Sequence, residues 1–126
     1  MRGPVINARS LIEKRKLIEE KKKKEFNVEV KDLGVFRFRT PDIFDLDDAQ
    51  NYGDGKKEDD FIIYTCCIEP KLNDKELLDA YEVTGDAIGI VDKLLLPGEK
   101  SAISRILVEK AGYNEEAAKI ADEIKN

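Results

Sequence analysis

Hydrophobic and polar positions change period twice along this chain, and each change predicts a different element. Over residues 1–24, MRGPVINARSLIEKRKLIEEKKKK, Val5, Ala8, Leu11, Ile12 and Ile18 share one broad helical face, while Ile6 and Leu17 fall off it. That spacing predicts a moderately amphipathic helical arm. The period then shortens to two. In EFNVEV, Phe26, Val28 and Val30 alternate with Asn27 and Glu29; in VFRFR, Phe36 and Phe38 alternate with Arg37 and Arg39. Two alternating runs around the Gly34-containing turn KDLG predict a β-hairpin at about 26–39 with one apolar face. A lone hairpin is marginal in water, so that face must pack on helices.

From Thr40 the pattern turns helical again. Thr40, Pro41 and Asp42 predict a helix start: a hydroxyl cap, a proline at the first helical position and an acid in the first turn. The short acidic helix PDIFDLDDAQ follows, then the glycine-rich loop NYGDGKK. EDDFIIYTCCIEP suits a buried strand by its β-branched and aromatic content and a helix by its leading acids. Its length and helical surroundings favour a buried helix that Pro70 ends. NDKELLDAYEV offers Asn73 as a cap and Glu76 as its capping-box partner. GDAIGIVDKLLLPGE predicts a helix stopping at Pro97, and PGEKSAISRILVEKAGY one that ends at Gly112. Asn114 caps a last helix, EEAAKIADEIK, with Ala117, Ile120, Ala121 and Ile124 on one side. The expected fold is mainly α (α+β): a compact bundle of about five to six helices with one N-terminal β-hairpin. The expected organisation is a basic N-terminal arm, residues 1–24, and a single globular domain, residues 25–126.

Charge sharpens that division. The net charge of −5 combines nine Lys/Arg against three acids in residues 1–24 with thirteen against twenty-four in the remainder. An acidic body repels nucleic acid. The basic arm keeps a small nucleic-acid-binding regulator open as a second function class. No apolar run approaches the roughly 20 residues of a membrane span, and the N-terminus lacks a signal-peptide pattern, so a cytoplasmic location is expected.

Candidate chemistry is mostly excluded. The chain has no histidine, which removes Ser-His-Asp and Cys-His nucleophile activation and the commonest zinc ligand. Cys66 and Cys67 are adjacent; neighbouring cysteines do not easily bridge each other, and the pair is not a C-x-x-C motif. Their acidic and apolar surroundings disfavour a thiolate, so both are expected to pack as small core residues. Counted from Asp47, the acidic loop places Ala49 and Asn51 at the third and fifth positions, which breaks the calcium-loop pattern. LLLPGEK lacks the flanking glycine of a phosphate loop. No catalytic residue, cofactor or metal ligand is expected. Arg37 and Arg39, on the polar face of the hairpin, suit either a carboxylate-rich partner or the acidic helix that follows them.

The order of the pieces carries a family likeness. A basic segment, a β-like pair ending in Arg39 and an acidic stretch precede IIYTCCIEPKLNDKELLDAYEV and IVDKLLLPGEKSAISRILVEKAGY. The spacing of Glu69-Pro70, Leu72, Asp74, Glu76-Leu77 and Tyr81, followed by Leu94-Leu95-Leu96-Pro97-Gly98-Glu99, resembles the XkdN-like phage tail assembly chaperones. The likeness covers roughly residues 25–113. It implies a small α-rich, non-catalytic protein of the host bacterial cytoplasm, absent from the finished virion. Such a protein holds the long helical tape measure protein soluble while tail tube subunits assemble around it. A holding protein of this kind can bind its client as a helix in a groove. Leu11, Ile12 and Ile18 of the arm, with Arg37 and Arg39, are the expected partner-binding residues.

Overall fold

A computed structural model describes residues 5–55, 57–114 and 117–118. The arm comes first. Asn7 caps α1 (Ala8–Glu13) by accepting from the Ser10 N–H at 2.9 Å, and α2 (Arg15–Lys22) follows after a break at Lys14. No residue of either helix is buried.

The chain then forms β1 (Glu25–Val30) and β2 (Gly34–Arg39), an antiparallel pair running from Glu25↔Arg39 to Val30↔Gly34. The tight turn between them puts Asp32 at φ 68° and Gly34 at φ 133°, a region that favours residues with little side-chain bulk at Cβ. Strand alternation delivers Val28, Val30, Phe36 and Phe38 to one face, all buried. The Phe38 ring lies between Phe26 and Phe36, with centroids 6.2 and 6.3 Å away.

The remaining elements are α3 (Ile43–Asn51), a left-handed turn at Tyr52–Gly55, α4 (Glu58–Cys66), β3 (Cys67–Glu69), α5 (Lys75–Ala80), α6 (Gly89–Leu94) and α7 (Pro97–Lys110). Helix α4 is central and packs on α3, α6 and α7. Its Ile62, Ile63 and Cys66 join Ile90 and Val91 of α6, Ile103 and Leu107 of α7, and the sheet face in one core. Helix α7 ends as its sequence predicts. The Gly112 N–H donates to the Glu109 carbonyl at 3.0 Å and the Tyr113 N–H to Val108 at 3.3 Å, with Gly112 at φ 101°, a Schellman closure.

The fold departs from the expected bundle with a single hairpin. The sheet has three strands in the order β1-β2-β3, and there are seven α-helices among the described residues. The third strand is the tail of the segment read as one long helix. Helix α4 stops at Cys66; Cys67 turns extended at φ −75°, ψ 122°, and Cys67 and Glu69 pair with Phe38 and Arg37. The free edge of β2 offered unpaired backbone groups, and closing that ladder satisfies them. The helix count rises partly because Lys14 divides the arm.

Two caps also move. Asp42, rather than Thr40, caps α3: its carboxylate accepts from the Asp45 N–H at 2.9 Å, and its own N–H donates to Asp45 Oδ2 at 2.8 Å. Thr40 instead closes the hairpin, its hydroxyl donating to the Lys24 carbonyl at 2.9 Å. Asp74, not Asn73, caps α5. The last helix expected from the sequence, EEAAKIADEIK, lies largely outside the described residues.

Candidate functional site

The first candidates to resolve are the cysteines. Cys66 ends α4 fully buried, and Cys67, the first residue of β3, donates its thiol to the Pro70 carbonyl at 3.2 Å. Burial pushes the Cys66 thiol up to about 12. Burial and then the Glu69 carboxylate push Cys67 up to about 11. Neither is a thiolate near neutral pH, so neither is a nucleophile. Among the described residues no group of three or more Cys, Asp or Glu side chains is placed to hold a metal ion.

The hairpin arginines part company. Arg37 reaches across the sheet to Glu25 at 3.3 Å, and both side chains are about half exposed. Arg39 turns inward. Its guanidinium donates to both Asp45 oxygens at 2.7 and 3.2 Å and to the Thr65 carbonyl at 3.3 Å. One side chain thus ties β2 to the first turn of α3 and the last turn of α4. The Asp45 bond is the main cause raising the Arg39 pKa. Burial pushes the Asp45 carboxyl up, but hydrogen bonds from Arg39 and the Asp42 backbone outweigh it and hold the group below its ordinary value.

A second ionic clamp lies on the other side of α4. Lys100 of α7 meets Asp60 at 3.1 Å and Asp92 at 2.9 Å, with its own side chain only 15% exposed. Burial disfavours its charge, yet the bonds to Asp92 and Asp60 hold its pKa above the ordinary value. Tyr52, its ring tilted by 44° against Phe61 with centroids 5.4 Å apart, donates to Asp86; that bond pushes its hydroxyl up to about 12. These contacts tie the packed elements to one another and pair the buried Asp45 and Asp60.

What remains open is apolar surface. Leu11, Ile12 and Ile18 lie on the exposed arm, and Leu17 is exposed beside them. A second apolar patch was not expected from the sequence. Ile43 and Phe44, in the first turn of α3, are 65% and 74% exposed, and Tyr113 beyond α7 is 60% exposed. They line an open groove of about 580 Å³ whose rim carries Lys21, Lys22 and Lys110. The signal was present as two adjacent large apolar residues just inside a helix start, but periodicity cannot say whether such a pair faces core or solvent. The structure does not gather the expected partner-binding residues at one point: Leu11, Ile12 and Ile18 lie on the arm, and the arginines on the sheet.

Comparison with known proteins decides the family. The family model described as phage XkdN-like tail assembly chaperone protein, TAC, matches residues 45–125, well over half of the chain. The chain belongs to the XkdN-like tail assembly chaperone family. The matched region of this family member begins inside α3, so it includes the α4–β3 junction, the Lys100 clamp and the α7 end, and leaves out the arm and the hairpin. No curated protein and no solved structure matches the chain. No helix among the described residues is long and apolar enough to cross a membrane.

Proposed function

We propose that this protein is a non-catalytic holding chaperone that binds the tape measure protein in the host cytoplasm and assists tail tube assembly, without entering the finished virion. The observation that carries this reading is the arm. Two successive helices bury none of their residues, yet present Leu11, Ile12 and Ile18. Helices of this length are marginal alone in water, so their apolar side chains are best accounted for by a partner. Membership of the family supplies the partner class. Leu11, Ile12 and Ile18 contact the client, and Arg37, half exposed in its pair with Glu25, offers it a separate cation on the sheet. Arg39 braces β2 against α3 and α4.

The test uses co-expression of the protein with the tape measure protein of the phage or prophage that encodes it. Removing residues 1–19 leaves Lys21, Lys22 and the Lys24 carbonyl in place. The expected result is a marked fall in soluble client while the truncated chain stays folded by circular dichroism. Client solubility equal to that with the full chain would refute the role of the arm.

A further inference from the structure

The apolar groove beside the arm has a polarity that goes beyond the general reading above. Its first section holds Ile43 and Phe44, with Lys21, Lys22 and Lys110 on the rim. A second section of about 310 Å³ runs between α3, α4 and α7 and is lined by Ile62, Val108, Glu58 and Asp59. Leu46 and Tyr113 line both sections, so the two join there. The combined groove has Ile43, Phe44, Leu46 and Ile62 along it, three lysines against the one carboxylate of Asp42 at one end, and Glu58 and Asp59 at the other.

The charges are available. Lys21 and Lys22 form no ion pair among the described residues, nor do Glu58 and Asp59. Lys110 sits 5.3 Å from the centre of the Phe26 ring, a cation–π contact that leaves its charge uncompensated. The walls decide the conformation of an occupant. They are α2, α3, α4 and α7 with the short segments 40–42 and 111–113, and no strand residue lines the groove, so an extended peptide would gain no ladder here. An occupant must satisfy its own backbone, which favours a helix.

We infer that this groove is a docking site for an amphipathic helix of the client, with acidic residues over Lys21 and Lys22 and basic residues over Glu58 and Asp59. The inference rests on the chaperone reading and adds to it a location and a charge pattern. Complementary charges at both ends fix the register of the helix, and like charges at either end reject a reversed one. A second copy's basic arm meets repulsion at the lysine end.

The experiment places p-benzoylphenylalanine at position 44 of the full chain, co-expresses it with the tape measure protein, and maps the photo-cross-links by mass spectrometry. Cross-links should fall on a client segment that is helical by pattern, acidic at one end and basic at the other. Because Phe44 is mostly exposed, Phe44→Asp should fold normally and lower co-purified client about tenfold or more, the scale of one lost anchor. Lys21→Glu with Lys22→Glu should lower it several-fold, more at low salt than at high. Cross-links to a second copy or to residues 115–126 of the same chain would overturn the inference and leave the chaperone reading standing. Full client recovery by folded Phe44→Asp would do the same. Absence of soluble client with the unaltered protein would overturn the chaperone reading, and the groove assignment with it.

Discussion

Replacing Arg39 with methionine tests the account of the framework most directly. The substitution keeps an apolar stem and removes the guanidinium. It deletes two bonds to Asp45, at 2.7 and 3.2 Å, one to the Thr65 carbonyl at 3.3 Å and a long one to the Thr40 carbonyl at 3.4 Å. Hydrogen bonds to charged groups contribute about 1.5–3 kcal/mol each in protected settings. The Arg39 side chain is 36% exposed and that of Asp45 11%, so solvent screening removes much of that sum. Asp45 also keeps its bond from the Asp42 N–H. A loss of about 2 kcal/mol is expected, or a urea midpoint lower by roughly 1 M for a slope near 2 kcal/mol/M. Arg37→Met is the internal control. Its pair with Glu25 is half exposed on both sides, and less than about 0.5 kcal/mol should be lost.

The pH dependence follows from the sign of the Asp45 shift. The folded value lies below the unfolded one, so the stabilisation is fully present above about pH 4 and is lost as pH falls through the folded value. The gap between the natural protein and Arg39→Met should therefore narrow in acid. Urea unfolding followed by circular dichroism at pH 7 and near pH 3 measures both effects. Equal losses for the two arginine variants at pH 7, or a gap that widens in acid, would refute the reasoning.

Further outcomes follow from the same geometry. With the Cys66 and Cys67 thiols pushed up to about 12 and 11, folded protein should react with a disulfide reagent at pH 8 orders of magnitude more slowly than protein unfolded in urea; rapid reaction of both thiols in native buffer would contradict their placement. Cys66→Ala should cost about 1–2 kcal/mol by leaving a small void and leave client binding intact in a co-purification assay. Lys100→Met strands Asp60, whose side chain is only 11% exposed, and should cost about 2 kcal/mol, whereas Asp92→Asn, on a side chain 73% exposed, should cost under about 1 kcal/mol; thermal or urea unfolding ranks the two. Gly112→Ala meets no atom within 4 Å but must hold φ at 101°, so a purely conformational cost of about 1–2 kcal/mol is expected.

The hairpin was legible because alternation is a direct consequence of a sheet with one buried face. Phe26, Val28, Val30, Phe36 and Phe38 could satisfy no other geometry. The α7 end was legible because Gly112 supplies a backbone conformation that other residues resist. The third strand was not, since three residues carry no period and Cys67–Glu69 follow a helix without punctuation. Its existence depends on a free edge of β2, a fact of tertiary structure. The same holds for caps. Thr40 and Asp42 are both good caps by composition, and the choice was made by Lys24, whose carbonyl claims the threonine hydroxyl. Of the candidate surface, the arm's apolar residues could be read from the sequence. The Ile43–Phe44 face could not, because its exposure depends on where α7 and α2 end.

The passage from α4 to β3 carries a further consequence. Cys66 is the last helical residue and Cys67 the first of the strand, with no residue between. Nearly every other joint here has slack that an inserted residue could occupy, as at Tyr52–Gly55. At this one, a single added residue would either rotate α4 by about 100° relative to its neighbours or exchange the two faces of β3 against β2. The helical layer and the sheet are thus phase-locked at one peptide bond. Flexible tags or reporter loops belong in the glycine turn at 53–55, while the two cysteines mark the point where the length of the chain cannot change.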